Sequence, residues 1–439
     1  MTLPPRVVIA APSSGSGKTT VAMGLMAALR ARGDVVAPFK VGPDYIDPSY
    51  HGLAAGRVGR NLDPFLSGAD RIAGLFAHGS AGADLAVVEG VMGLFDGRGG
   101  TDEASTAHVA TLLGAPVVLV VDARSMSRSV AALVHGFASY DPRVRVAGVI
   151  LNMVGSDSHE RMLREALAPQ GIPVLGVIRR HADLSTPSRH LGLVPVAERA
   201  EAALATVAAA QHIVARSVDL DAVVELAGSA VPLEADPWQP ALETVGRPVV
   251  ALAGGAAFSF VYAETTELLE SAGCHVVTFD PLVDERLPEG ATGLYLGGGF
   301  PEEHAGALSA NEPLRDAVRD FAGVVYAECA GLLYLARTLD GQPMCGRIPA
   351  DGAMTAKLTL GYRTAVDDEG SVRAHEFHRT TTVPDHGDQP AWTVDGPARR
   401  EGWREARLHA SYLHVHWTGH PERAQRFAQR AAVLSGAVA

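Results

Sequence analysis

Three cysteines in 439 residues, Cys274, Cys329 and Cys345, are too few and too scattered for a disulfide framework, and none stands in a C-x-x-C spacing that would hold zinc. A reducing compartment suits such a chain. No basic block is present to follow a phosphate backbone. The formal net charge is -12 at a charged fraction of 20%, the mild acidity is spread along the chain, and nucleic acid is not an expected partner. Long apolar runs are missing too. The start, MTLPPRVVIAAP, enters a strand-like segment without a basic n-region or extended apolar stretch, and no later run approaches the roughly 18 uninterrupted apolar residues of a membrane span. The expectation is a cytoplasmic protein with no membrane partner. Internal repeats and low-complexity tracts are also absent.

What is present is enough apolar sequence, 47% of 439 residues, for more than one core, because single cores stop growing beyond about 250–300 residues. From Arg6 to about Arg179, the runs RVVIAA, VVAPFK, DLAVVEG, PVVLVVD, VAGVILN and IPVLGVI alternate with longer helical patterns. Each run is apolar throughout, as expected of parallel strands covered on both faces, so the first domain reads as doubly wound α/β. A polar, Ala-rich helical stretch follows. The segment SAVPLEADPWQPALETVGR concentrates prolines without an apolar period and reads as a linker. Alternation then resumes with RPVVALAGG, CHVVTFD, GLYLGGG and VVYAE, and the stretch from about Gly346 to Trp417 looks antiparallel. The division expected is residues 1–228, a linker at 229–246, and residues 247–439.

The first run opens into VVIAAPSSGSGKTTVAMGLMAAL, a strand, a small-residue loop and a helix in order. This is a P-loop pattern in which Gly15 and Gly17 let backbone N–H groups close on phosphate, Lys18 reaches the β/γ-phosphates, and the Thr19 hydroxyl ligates magnesium. Pro12 stands where the usual first glycine would be. Two further loops should leave the same edge of a parallel sheet. VGPDYIDPSYH after Lys40 brings Asp44, Tyr45 and Asp47, and EGVMGLFDG brings Glu89 and Asp96. Carboxylates there can hold Mg²⁺ against a triphosphate and help position a reacting carboxyl group, while Lys40 offsets their charge. No separate base-and-water arrangement singles out simple hydrolysis.

In GVVYAECAGLLYL, Cys329 falls between an apolar strand and a helical start, with Ala327, Ala330 and Gly331 around it. That is the layout of a nucleophile elbow, which aims a helix N-terminus at the sulfur and favours thiolate. The competing reading is a packed cysteine in a noncatalytic binding module. Upstream, GLYLGGGFPEE offers backbone N–H groups near Gly298 and Gly299 as an oxyanion hole. Downstream, HASYLHVHW alternates like a strand and presents His409, His414 and His416 as candidate bases.

Taken in order, APSSGSGKTT, FKVGPDYIDPSYH, VVEGVMGLFDG, LGGGFPEEHA, AECAGLLYL, HEFHRT and SYLHVHW resemble the marks of the cobyrinic or hydrogenobyrinic acid a,c-diamide synthases over nearly the whole chain. The resemblance implies a dethiobiotin-synthetase-like ATPase domain joined to a class I glutaminase-like domain. It implies amidation of the a- and c-acetate side chains of a corrinoid with ATP and glutamine as co-substrates, through an acyl phosphate. Ammonia would pass between the sites by a shielded route. It makes Cys329 the nucleophile and His414 the base, with His416 and His409 as runners-up. Related glutaminases often carry Glu two residues after the histidine; here that position is His416, which suggests a Cys–His dyad. The resemblance also suggests Thr19, Glu89 and one of Asp44 or Asp47 on the magnesium side, Gly15, Gly17, Lys18, Thr19 and Thr20 around ATP, and Lys40, Asp44, Tyr45 and Asp96 toward substrate and phosphate. Asn152 is either an adenine contact or a turn residue. Glu376 and His378 in HEFH belong to a family mark with no chemistry assigned, and Ala330 replaces an expected glycine. A homodimer is left open. Cobyric acid synthase and nickel-sirohydrochlorin a,c-diamide synthase are rivals within the class. A partitioning-type P-loop ATPase is the rival outside it, but would need a basic surface or amphipathic membrane helix that the sequence does not offer.

Overall fold

The computed structural model describes residues 1–180, 188–189, 192–193, 195–396 and 399–436. Its chain divides into two compact units, Met1–Gln239 and Pro240–Ala439. Among the described residues no helix is long and apolar enough to cross a membrane.

The first unit is built on a seven-stranded parallel sheet: β1 (Arg6–Ala10), β2 (Val36–Val41), β3 (Arg60–Leu62), β4 (Leu85–Glu89), β5 (Val117–Asp122), β6 (Val146–Val154) and β7 (Val174–Arg179). The spatial order is β3-β2-β4-β1-β5-β6-β7. Every residue of β1, β2 and β4 is buried, which is why these strands read as unbroken apolar runs rather than alternating ones. Only the three-residue β3 escapes such reading, because it is too short to show a pattern. Strands β2, β4 and β1 are neighbours, so the loops after them leave the same carboxyl edge side by side, where open α/β sheets bind ligands. Helix α1 (Lys18–Arg32) follows β1 directly. It is covered by the Ala-rich helix Ala200–Ser217, whose Ala210 carbonyl would lie 2.6 Å from a Cβ on Gly24.

The proline-rich segment is not a free spacer. The Leu3 N–H donates to Leu233 O (2.9 Å) and the Trp238 N–H to Gly74 O (2.8 Å), whereas the Val245 N–H donates to Ala272 O (2.9 Å). Its two ends are thus docked on different units, and the units divide within it.

In the second unit a six-stranded sheet runs in the order His275–Phe279, Val249–Ala253, Ala291–Leu296, Val324–Glu328, Leu408–Ser411 and Trp403–Glu405. The first five strands are parallel and the last antiparallel. A second sheet is organised by the long antiparallel hairpin Asp351–Asp367 with Gly370–Val383, and His414–Val415 pairs with the latter strand. HASYLHVHW is therefore not one strand. Leu408–Ser411 runs beside Val324–Glu328 in the first sheet, and the chain changes sheet at Tyr412–Leu413 before His414. The buried side chains of this unit, among them Leu294, Leu296, Leu332, Leu333 and Leu335, each contribute about 1.5–3 kcal/mol when removed from water and fix the strand ends that carry the chemistry.

Candidate active sites

In the first unit, Gly15 and Gly17 have φ of 80° and 88°, the left-handed region that glycine enters without strain. Gly17 is also confined, since a Cβ there would lie 2.2 Å from Asn152 Nδ2. That side chain donates to Ser16 O at 3.0 Å and accepts from the Met153 N–H at 2.9 Å. Asn152 thus lies in β6 rather than in a turn, and its amide braces the P-loop. Beside Pro12, Ala11 O accepts from the Leu94 N–H at 2.9 Å, which ties the start of the P-loop to the loop after β4. Lys18 is buried, and its Nζ donates to Met92 O at 3.0 Å. Burial, then the nearby Lys40 charge, lower its pKa. Thr20 follows in the first turn of α1.

The acids predicted on the two neighbouring loops converge. The Thr19 hydroxyl donates to Glu89 Oε1 at 2.5 Å and lies 3.4 Å from Asp47 Oδ2. Lys40 Nζ bridges the same carboxylates, at 2.5 Å from Asp47 and 2.9 Å from Glu89. His51 Nε2 stands 2.6 Å from Glu89 Oε2. His51 and Asp47 are one turn apart on α2 (Asp47–Ala55), so the DPSYH end of the motif supplies both. Sequence reasoning quoted His51 without giving it a role. Burial alone would raise the pKa of Glu89, but the Lys40 charge and the His51 hydrogen bond reverse this and hold it well below the carboxylate range. Asp47 is instead pushed up to about 6, by burial and then by the like charge of Asp44. Lys40 stays charged because Asp47 and Glu89 outweigh its desolvation. Asp44 fixes the turn that leads into α2, accepting from the N–H groups of Ile46 (2.8 Å) and Asp47 (2.9 Å). Asp96 accepts from the Gly93 N–H at 2.9 Å and orders the loop after β4, while Tyr45 is half-buried beside Asp44.

One hydroxyl with two carboxylates within 3.4 Å of it offers hard oxygen donors of the kind Mg²⁺ takes beside nucleotide phosphates and water. Among the described residues no group of three or more His, Cys, Asp or Glu could hold a metal by itself.

In the second unit, Cys329 follows the strand Val324–Glu328 and opens the helix Ala330–Leu335 with φ 48° and ψ -98°. A non-glycine residue held there stores about 1–3 kcal/mol of strain. The elbow is clamped by its neighbours: the Cys329 N–H donates to Ser411 O (2.8 Å) and the Gly331 N–H to Gly297 O (3.0 Å). Gly331 has no room for a Cβ, which would lie 2.3 Å from Leu296 O. The other two thiols differ. Burial pushes Cys274 up to about 11 and Cys345 higher still, so both stay protonated and unreactive.

Of the three candidate bases, His414 alone meets Cys329. Its buried Nδ1 lies 3.6 Å from Glu328 Oε2. Burial would lower its pKa, but hydrogen bonding and charge from Cys329 and Glu328 raise it to about 10. His409 is core: its ring stacks on Tyr326 at 4.8 Å, and burial lowers its pKa to about 3. His416 stacks on Tyr262 at 4.0 Å, and burial, partly opposed by Glu264, lowers its pKa to about 4.

Gly298 corrects the oxyanion expectation. Its N–H donates to Phe260 O at 3.1 Å and is already spent, which leaves Gly299 as the remaining candidate of the pair. What Gly298 supplies is space, because a Cβ there would lie 2.3 Å from His414 Cε1.

The HEFH mark crosses this site. Phe377 O is 3.7 Å from Cys329 Sγ, and His375 pairs with His414 across the sheet. Glu376, fully buried, takes Arg363 Nε (2.8 Å), both terminal nitrogens of Arg399, and His378 Nε2 (3.0 Å). The His378 ring stacks on Tyr412 at 3.8 Å. The mark therefore fixes a strand over the thiol, a role invisible without Arg363, Arg399 and Tyr412.

Two family models match the chain, the CobQ/CobB/MinD/ParA nucleotide binding domain over residues 7–194 and the CobB/CobQ-like glutamine amidotransferase domain over residues 249–422. The chain is 57% identical to the hydrogenobyrinate a,c-diamide synthase of Streptomyces coelicolor, across 97% of each protein. It is 54% identical to that of Thermobifida fusca, across 97% of this chain and 96% of the relative. To the cobyrinate a,c-diamide synthase of a Synechococcus species it is 42% identical, across 96% and 97%.

Proposed function

The chain belongs to the a,c-diamide synthase family of cobalamin biosynthesis, glutamine-hydrolysing, ATP-dependent ligases, and from that premise we propose that it amidates the a- and c-acetate carboxylates of hydrogenobyrinate. The observation that carries the reading is the presence on one chain of two differently built sites. One is a P-loop backed by buried oxygen donors, the other a strained cysteine beside a buried histidine. The choice of ring rests on the relatives: those named for hydrogenobyrinate are 52–57% identical, those named for cobyrinate 42–43%.

In the first site a substrate carboxylate oxygen attacks the γ-phosphorus of ATP, the bond to the β-phosphate oxygen breaks, and an acyl phosphate and ADP result. Gly15 and Gly17 shape the phosphate cradle, and Lys18 follows the charge that moves onto the leaving oxygen. Thr19, Asp47 and Glu89 would hold Mg²⁺, which when bound neutralises phosphate charge. Lys40 and His51 keep Glu89 ionised and fixed. In the second site the Cys329 thiolate attacks the glutamine side-chain carbonyl, His414 gives a proton to the departing nitrogen, and ammonia leaves a thioester. Water, giving its proton to His414, hydrolyses that thioester to glutamate. Ammonia then displaces phosphate from the acyl phosphate, and the cycle runs once for each acetate.

The test is product mass after incubation with Mg-ATP and glutamine on hydrogenobyrinate, cobyrinate and nickel-sirohydrochlorin in parallel. A gain of two amides on hydrogenobyrinate, faster than on either other ring, is expected. Preference for another ring would overturn the substrate assignment.

A further inference from the structure

If the Cys329 site is the glutaminase, as the proposed function holds, its histidine lacks a carboxylate at the position where related enzymes place one. His416 stands there, with its ring committed to Tyr262 and its Nδ1 2.8 Å from the Thr418 hydroxyl. A different carboxylate approaches from the other sheet. Glu328, the residue immediately before the nucleophile, is 2% exposed. Its Oε1 accepts from the Val415 N–H at 3.0 Å, 87 residues away in sequence. Its Oε2 accepts from the Tyr295 hydroxyl at 3.3 Å and lies 3.6 Å from His414 Nδ1. We propose that Glu328 is the positioning residue of the glutaminase site, orienting the His414 ring and stabilising its protonated form in place of a carboxylate two residues beyond the histidine.

Three features support this. A carboxylate withdrawn from water costs several kcal/mol unless it meets a counter-charge or several donors. Val415 and Tyr295 are neutral donors, and Tyr295 is kept protonated first by burial and then by Glu328 itself. His414 is the ionisable base within 4 Å of Glu328 that can carry the compensating charge. Second, the side chain is held at both oxygens, so it has the fixed orientation that a positioning group requires. Third, the elbow explains how one short segment supplies two roles. At φ 48° the chain turns sharply at Cys329, and the two successive side chains, Glu328 and Cys329, both act on the ring of His414. The 3.6 Å separation is longer than a hydrogen bond, and catalytic contacts of this kind tighten when substrate binds. Other titratable groups facing this pair include the Cys329 thiol, Tyr326, whose hydroxyl also hydrogen-bonds Glu328 and is kept protonated by burial, and His375, whose own pKa is lowered to about 3, by burial first and then by His414.

In chemical terms, with Nδ1 directed at Glu328, the proton leaving the Cys329 thiol resides on His414 Nε2 and is later donated to the amide nitrogen as the C–N bond breaks. The Glu328 carboxylate lowers the energy of the imidazolium in between.

The experiment compares wild type with Glu328→Gln and Glu328→Asp, using glutamine-driven and ammonium-driven diamide formation and the pH profile of Cys329 alkylation by iodoacetamide. Gln keeps the acceptor for Val415 and removes only the charge. We expect Glu328→Gln to lose about 100-fold or more in glutamine-driven kcat, within the range for a misassigned acid–base pair, with little change in KM for glutamine and an intact ammonium reaction. The alkylation profile should lose the contribution of an imidazolium that survives to high pH, and Glu328→Asp should restore part of the rate. Glutamine-driven kcat within about threefold of wild type, with an unchanged alkylation profile, would overturn the proposal. Parallel loss of the ammonium reaction in both variants would also overturn it, by making Glu328 a structural residue. A wild type that cannot use glutamine would instead break the glutaminase reading on which the proposal rests.

Discussion

Both units put their chemistry where a parallel strand turns into a helix, yet they handle the turn in opposite ways. In the first, glycines take the left-handed conformations, at Gly15 and Gly17, and the reactive Lys18 sits relaxed at the helix start. In the second, the proposed nucleophile, Cys329, itself occupies the strained position. The difference follows from the two tasks. A phosphate is held by many backbone N–H groups at once, so the loop needs freedom at several peptides. A nucleophile must present one atom in one direction, and strain borne by that residue fixes it. Buried charge is treated differently too. The first site balances its carboxylates internally through Lys40 and His51, whereas the second sets a single carboxylate 3.6 Å from one imidazole.

The largest effect should come from Lys18→Ala, which removes the contact made in the transition state of phosphoryl transfer. Diamide formation should fall by about 10³-fold or more with glutamine and ammonium alike, while glutaminase activity survives. Equal loss of glutaminase would mean that the two sites are not separate in the way their turns suggest. Glu89→Gln should come next, since it leaves Lys40 and His51 facing an incomplete partner. Breaking a buried pair costs about 3–5 kcal/mol, visible as a lower melting temperature together with loss of ATP turnover.

Gly298→Ala sharpens the contrast from the other side. Its Cβ would meet the His414 ring, and overpacking of this kind costs about 1–3 kcal/mol, so about 10- to 100-fold of the glutamine-driven rate should be lost with the ammonium-driven rate kept. A retained glutamine rate would mean that His414 is free to move. A pH titration tests the imidazole more gently. His414 is raised from 6.5 to about 10 in the fold; its stabilising contribution is therefore full below pH 6.5 and is lost as pH rises toward 10. Thermal melts of wild type against His414→Gln should show a gap that narrows across that window. The smallest effect belongs to Cys274→Ser and Cys345→Ala, whose thiols are held protonated. Neither should change the glutamine-driven rate, and neither thiol in the wild type should be alkylated as fast as Cys329.

Much of this was legible in the sequence where the requirement is local. Six strands of the first sheet announce themselves because two-sided burial leaves no polar alternation, and the P-loop survives the loss of its first glycine because Gly15, Gly17 and Lys18 carry the geometry. The elbow around Cys329 is local as well. What escaped is set by register and topology. HASYLHVHW looks like one strand because its alternation continues through a change of sheet at Tyr412–Leu413. Gly298 resembles an oxyanion donor until its N–H is seen to be spent on Phe260. Asn152 reads as a nucleotide contact or a turn residue, and its bond to Ser16 of the P-loop could not be read, because the two are 136 residues apart. Glu328 could be read only as the residue beside a nucleophile, because its partners Tyr295, His414 and Val415 come from other strands.

The central claim is that one site activates the carboxylate and the other supplies its nitrogen. The most direct test is product mass on hydrogenobyrinate for Cys329→Ala, supplied with Mg-ATP and either glutamine or ammonium. Diamide with ammonium and none with glutamine is the predicted result. Diamide formed from glutamine at the wild-type rate would contradict it.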